Sequence, residues 1–196
     1  MVTEQDMQSD NTALSERDWI LNATQLPIIQ LRESSRVPFD AALAPLLPCQ
    51  MLNLCKVTDS LFISNSRSAC NENLLAQEKI TFCLNVSRQQ PFPSSQQIQM
   101  QRVPVFDDPS EDLYKYFERC SDAIEGAVRS GGKCLVYCKN GRSRSAAICT
   151  AYLMRHQHLS LKDAFEIVKT ARPVAEPNPG FWSQLQKYEE HLQMQH

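Results

Sequence analysis

This 196-residue chain has no apolar run that approaches the roughly 18–20 residues of a membrane-spanning helix. Its first twenty residues are polar and acidic and lack the basic start and apolar stretch of a secretory signal. Val2 excludes an N-myristoylated glycine. An excess of either charge is also missing, since the formal net charge is −2, so no global basic field draws nucleic acid. No cysteine pair has zinc-site spacing: Cys49 and Cys55 are six apart, and Cys134 and Cys138 are four apart on a strand-like segment. On a strand the latter two sit about 13 Å from each other, too far for a disulfide. There is no internal repeat and no low-complexity tract. These absences lead us to expect no membrane partner, no nucleic-acid partner, no metal and no cofactor. The eight cysteines are expected as reduced thiols in the cytoplasm, with the nucleus as a second location.

What is present suits one globular domain with a tail. Hydrophobic residues are 42% and charged residues 21%, which is ordinary for a packed domain. Residues 1–50 contain no glycine, and their short apolar pieces are broken by Pro27, Pro38, Pro45 and Pro48. They carry a net charge of −4, from seven acids and three bases, whereas residues 51–196 carry +2. We expect residues 1–50 to be a mostly disordered N-terminal tail and residues 51–196 to be the domain that holds the chemistry.

The second part alternates strand and helix patterns. Leu52–Val57 and Leu61–Ser64 read as strands around a Thr58-Asp59-Ser60 turn. Asn73–Lys79 reads as a helix, Thr81–Val86 as a buried strand and Gln99–Val105 as another. Ser110 is placed to cap a helix bearing Leu113, Phe117, Cys120, Ile124 and Val128, which Gly131-Gly132 stops. Lys133–Tyr137 is a short apolar strand, and Ala146–Arg155 is apolar almost all round, as a buried helix would be. Ser160 caps a further helix. A proline-rich connector leads to a last helix carrying Phe181, Leu185, Tyr188 and Leu192. The pattern predicts an α/β fold with a mainly parallel sheet.

The informative segment joins the Lys133–Tyr137 strand to the buried helix. It reads Cys138-Lys139-Asn140-Gly141-Arg142-Ser143-Arg144-Ser145. Ligands of such sheets bind beyond the carboxyl ends of the strands, and a helix N-terminus favours an anion there. A short loop with its N–H groups turned inward makes an anion nest, and Gly141 permits the turn. Cys138 would feel the helix dipole and a guanidinium, both of which favour thiolate. Arg144 can fold back to bind two oxygens of the same anion. A thiolate under a bound phosphate is placed for in-line attack on phosphorus, and Ser145 can hydrogen-bond the sulfur when it leaves.

Over residues 52–193 the chain resembles the cysteine-dependent protein phosphatases, in their dual-specificity branch. The family signature His-Cys-x-x-Gly-x-x-Arg-Ser is met here by Tyr137-Cys138 through Arg144-Ser145. Ala151-Tyr152-Leu153-Met154 and Arg172-Pro173 through Pro177-Asn178-Pro179-Gly180-Phe181 resemble the family's following stretches. The resemblance implies a four- to five-stranded twisted sheet flanked by helices and a phosphoprotein substrate. It also implies a two-step reaction through a phosphocysteine. Cys138, Arg144 and Ser145 would be catalytic. Lys139, Asn140, Gly141, Arg142, Ser143 and Arg144 would bind the substrate phosphate. The family's general acid is an Asp ten residues before a helical aromatic. Counting back from Phe117 gives Asp107, with Asp108 as the alternative.

Two positions depart from the pattern. Tyr137 stands where the family has His, and a phenol donates one hydrogen bond without a positive charge at neutral pH. This predicts a less activated Cys138 and a slower enzyme. Arg142 adds a charge to the loop, read either as attraction for a second phosphate or as a solvated side chain. The alternatives kept open are a phosphatase of a phosphoinositide, glycan or RNA 5′ phosphate, and a phospho-binding protein without turnover. The sequence does not indicate an oligomeric state.

Overall fold

The computed structural model describes residues 52–195, so the segment expected as a tail lies outside the described residues. The strands are β1 (Cys55–Lys56), β2 (Leu61–Asn65), β3 (Phe82–Asn85), β4 (Gln99–Arg102) and β5 (Cys134–Cys138). Their order across one sheet is β1-β2-β5-β3-β4. β1 runs antiparallel to β2, and every other pairing is parallel. Parallel neighbours need crossover connections, which helices supply. The helices are α1 (Ser66–Ala69), α2 (Glu72–Glu78), α3 (Tyr114–Arg129), α4 (Arg144–His156), α5 (Leu161–Ala171) and α6 (Pro179–Gln193). Among the described residues, no helix is long and apolar enough to cross a membrane.

Strand alternation divides the core between the two faces of the sheet. Leu61, Ile63, Phe82, Leu84, Cys134, Val136 and Cys138 share a cluster with α3, α4, α5 and α6. Phe62, Cys83, Leu135 and Tyr137 share a smaller one with Ala69 and Leu75 of α1 and α2. β5 lies between β2 and β3 and is buried at every residue, which explains its unbroken apolar run. α4 packs beneath it with Arg144 to Met154 all buried. The strand-loop-helix unit is thus the centre of the domain, and its loop emerges at the carboxyl edge of the sheet.

Four local details differ from the sequence reading. The Leu52–Val57 strand shortens to two residues, and β4 ends at Arg102. A helical turn, α1, was not foreseen; Asn65 caps it by accepting from the Ser68 N–H at 2.8 Å. Ser110 does not cap α3. Its N–H and hydroxyl both donate to Asp108 Oδ1, at 2.8 and 2.6 Å, a local bond that competes with capping. The cap comes instead from α6, where Gln184 Oε1 accepts from the N–H groups of Leu113 and Tyr114, both at 2.8 Å.

Candidate active site

Cys138 is the last residue of β5 and is buried, with its sulfur 3.2 Å from the Ser145 hydroxyl. The chain then turns through Gly141, whose φ of +62° suits glycine. A Cβ there would lie 2.5 Å from the Ser64 carbonyl oxygen and 2.7 Å from Arg172 Nε, so no other residue fits. Ser143 stands at the N-cap of α4 but leaves the helix uncapped by its side chain. Its hydroxyl accepts from the Asn178 N–H at 3.0 Å instead. The first N–H groups of α4, with the positive end of the helix dipole, therefore face the loop.

The loop carbonyls are held from outside. Arg172, itself buried, donates to the carbonyls of Gly141 at 2.5 Å and Asn140 at 2.9 Å. The Ser66 N–H and hydroxyl donate to the Lys139 carbonyl, each at 3.3 Å. The Glu176 N–H donates to the Arg142 carbonyl at 2.7 Å. In a trans peptide the next N–H points opposite to the carbonyl. With the carbonyls of 139–142 turned outward, the N–H groups of Asn140, Gly141, Arg142 and Ser143 turn inward and form an anion nest.

Arg144 follows this nest as the first residue of α4. Its Nη1 donates to the Val105 carbonyl at 3.2 Å, which fixes the side chain. Its Nε is buried and has no hydrogen-bond partner. It lies 3.9 Å from Asp107 Oδ2. A buried N–H of this kind is costly to leave unsatisfied, and an anion oxygen in the nest would satisfy it.

Asp107 and Asp108 are separated by their surroundings. Asp107 comes to Arg144 and accepts from Asn178 Nδ2 at 3.1 Å, with its side chain one-third exposed. Asp108 turns away, and its hydrogen bonds from Ser110 hold its carboxyl below the usual carboxylate range. The structure brings together Cys138, Ser145, Arg144 and Asp107, while Asp108 stays on the exposed turn. Glu111 steadies that turn by accepting from the Phe106 N–H at 3.2 Å. Arg88 pairs with Glu111 at 3.6 Å and lies 4.5 Å over the Phe106 ring.

Tyr137 occupies the other face of the sheet from Cys138, as alternation along β5 requires. Its hydroxyl donates to the Pro91 carbonyl at 2.8 Å, and burial pushes the phenol well above its ordinary range. It therefore stays neutral and contributes no charge to the loop. Arg142 points outward, where its guanidinium pairs with the Glu176 carboxylate. Its backbone joins the nest, and its side chain, more than half exposed, forms a surface ion pair. His156 meets Asp122 at 3.2 Å at the far end of α4, and Trp182 packs edge-on against Phe165. The described cysteines are all free. Burial raises the thiols of Cys83 and Cys120 to about 12 and those of Cys134 and Cys149 further.

Sequence reasoning did not assign roles to Arg172, Asn178 and Glu176. Arg172 holds two loop carbonyls from 31 and 32 positions away. Asn178 caps α6 through its side-chain oxygen and bridges Ser143 to Asp107. The Arg172-to-Phe181 stretch was visible as a resemblance, but pairing it with the loop requires the fold.

The family model "Dual specificity phosphatase, catalytic domain" matches residues 61–191. Dual specificity phosphatase 28 of Homo sapiens is 64% identical over 142 residues, covering 72% of this chain and 81% of the relative. Dual specificity protein phosphatase 18 of Homo sapiens is 41% identical over 136 residues, covering 69% and 72%. The crystal structure of human dual specificity phosphatase 28 superposes with a TM-score of 0.70 at 64% identity, covering 71% of this chain and 95% of that one. A mouse dual specificity phosphatase complexed with zinc tungstate gives a TM-score of 0.72 at 58% identity, covering 78% and 94%.

Proposed function

Because this chain belongs to the dual specificity phosphatase family, whose chemistry runs through a catalytic cysteine, we propose that it hydrolyses phosphotyrosine and phosphoserine or phosphothreonine in proteins. The observation that carries the proposal is one constellation. Cys138 Sγ lies 3.2 Å from Ser145 Oγ at the start of an inward-facing N–H nest, and Arg144, which follows the nest, lies 3.9 Å from Asp107.

In the first step the Cys138 thiolate attacks phosphorus in line, and Asp107 donates its proton to the departing oxygen. The nest, the α4 dipole and Arg144 stabilise the charge spread over the equatorial oxygens. In the second step Asp107, now a carboxylate, takes a proton from water as it attacks the phosphocysteine. Sulfur leaves as thiolate, supported by the Ser145 hydroxyl. Asn140 to Ser143 contribute backbone N–H groups, Lys139 opens the loop, and Arg144 contributes its guanidinium. The neutral Tyr137 beneath the loop supplies no positive charge to the thiolate, which supports a slow enzyme. A cytoplasmic setting, with nuclear access, is part of the same proposal and rests on the cysteine usage of the sequence.

The test is a pH–rate profile on a fluorogenic aryl phosphate, with Cys138→Ser and Asp107→Asn beside the wild type. Activity should vanish in the Ser variant, and the Asn variant should alter the limb that reports the acid. No turnover in the wild type, with phosphate-analogue binding retained, would make this a phospho-binding protein instead. Turnover confined to phosphoinositide, glycan or RNA 5′ phosphates would overturn the protein-substrate reading.

A further inference from the structure

The segment that follows β3 is fastened to three strands and sends Arg88 across to the loop that bears Asp107. Arg102 of β4 donates from Nη1 to the carbonyls of Ser87 at 2.9 Å and Arg88 at 3.2 Å, and from Nη2 to that of Gln90 at 3.0 Å. Asn85, the last residue of β3, donates from Nδ2 to the carbonyls of Gln90 at 2.9 Å and Pro91 at 3.3 Å. Tyr137 of β5 donates its hydroxyl to Pro91. From this fixed backbone the Arg88 guanidinium reaches two partners. Its carbon lies 4.5 Å from the centre of the Phe106 ring, and its Nη2 lies 3.6 Å from Glu111 Oε1. The same Glu111 oxygen accepts from the Phe106 N–H at 3.2 Å. Arg88, Phe106 and Glu111 therefore close a latch of three contacts. The Phe106 ring is 48% exposed, so burial does little to fix it and the stacked cation does more.

From this we infer that Arg88 is a positioning residue for proton transfer by Asp107. The inference rests on the phosphatase reading with Asp107 as the acid, and it adds a side chain that acts through others. Its lever is the peptide unit between Val105 and Phe106, which is held at both ends. The Val105 oxygen accepts from Arg144 Nη1 at 3.2 Å, and the Phe106 N–H donates to Glu111. These two groups point in opposite directions from one planar unit, so the two bonds fix its rotation. Asp107 is the next residue, and its carboxyl group is aimed from that plane. Arg88 secures the Glu111 end by pairing with the carboxylate, and it covers the Phe106 ring in the same stroke. Without Arg88 the peptide keeps its bond to Arg144 but loses the support of the other end. A half-exposed ion pair and an exposed cation–π contact are each modest, so the expected effect is modest too. It bears on catalysis because proton transfer depends steeply on the placement of the donor.

The experiment measures kcat/KM over a series of aryl phosphates of rising leaving-group pKa. The full chain, its Arg88→Ala and Arg88→Lys variants, and the same variants combined with Asp107→Asn are assayed. Arg88→Ala should lose about fivefold on the poorest leaving group and less than about twofold on the most activated, because only the former needs the acid. Arg88→Lys keeps a cation for both partners and should recover part of the loss. In the Asp107→Asn background Arg88→Ala should add nothing, since the two changes remove one function. The inhibition constant of inorganic phosphate should be the same in wild type and Arg88→Ala. An Arg88→Ala loss that is equal across the series would overturn the role. So would a loss that persists beside Asp107→Asn, a weakened phosphate inhibition, or full activity on every ester. If Asp107→Asn alone shows no dependence on the leaving group, the acid assignment fails and the role of Arg88 falls with it. If Asp107→Asn shows that dependence and Arg88→Ala does not, the acid stands and the positioning role fails.

Discussion

The two loops that meet over Cys138 are held in opposite ways. The phosphate loop, residues 138–144, ends in a buried strand and a buried helix. Its carbonyls are bound by Arg172, Ser66 and Glu176, and Gly141 presses against Ser64. The acid loop, residues 106–112, is exposed over most of its length and fastened by Asn178 on Asp107, Glu111 on Phe106 and Ser110 on Asp108, with Gly180 and Gln184 of α6 backing Pro109 and Glu111. The difference matches the work that the proposed function gives each. Donors aimed at a phosphoryl group lose value if they must reorganise during reaction, so the nest is built into the core. A proton donor must meet leaving groups of different shape, from a phenol to an alcohol, and weaker fastening leaves it adjustable.

The largest effect should come from breaking the rigid partner. Gly141→Ala forces a Cβ against Ser64 and Arg172 at a positive φ, and should lower kcat by about 10²–10³-fold. Near-wild-type turnover would mean that the nest is not preorganised.

Alkali should undo the foundation of the same loop. Burial raises the thiols of Cys83 and Cys120 from the unfolded value of 9.0 to about 12. The folded chain keeps these protons while the unfolded chain releases them. Their stabilisation is therefore complete below pH 9 and is lost as pH rises toward 12. Each thiol should cost about 1 kcal/mol per pH unit inside that window, read as a falling Tm. Replacing Cys83 and Cys120 by Ala or Val should flatten the fall.

The acid loop should respond by leaving group rather than uniformly. Asp107→Asn should lower kcat by about 10²-fold on an alkyl phosphate and much less on an activated aryl phosphate. Asp108→Asn should change neither by more than about twofold, and a larger effect there would exchange the two roles. An effect smaller than that of Asp107→Asn on the alkyl phosphate belongs to the bridge between the loops. Asn178→Ala removes one hydrogen bond to Asp107 and the cap of α6, and should cost about tenfold in kcat with KM little changed.

The same contrast explains what could be read before the fold was known. The nest was legible because Cys138 through Ser145 is contiguous, and β5 and α4 announce themselves by unbroken apolar runs. Asp107 was legible through the family resemblance, whose spacing to Phe117 lies within one stretch of chain. What holds those pieces was not legible, since Arg172, Asn178 and Gln184 reach across by 31 to 71 residues. Ser110 was misjudged because its signal as a cap equals its signal for a local bond to Asp108. Tyr137 was visible as a departure, but its place on the opposite face of the sheet from Cys138, bonded to Pro91, follows from the pairing of β5 with both neighbours.

The central claim, a phosphocysteine on Cys138 released with help from Ser145, is tested most directly by acid-quenching the Ser145→Ala enzyme during turnover and mapping the phosphoryl group by mass spectrometry. The account predicts close to one phosphoryl group per chain on the Cys138 peptide, with the adduct absent in Cys138→Ser. Sustained turnover with no phosphoenzyme, or a phosphoryl group on any other residue, would contradict it.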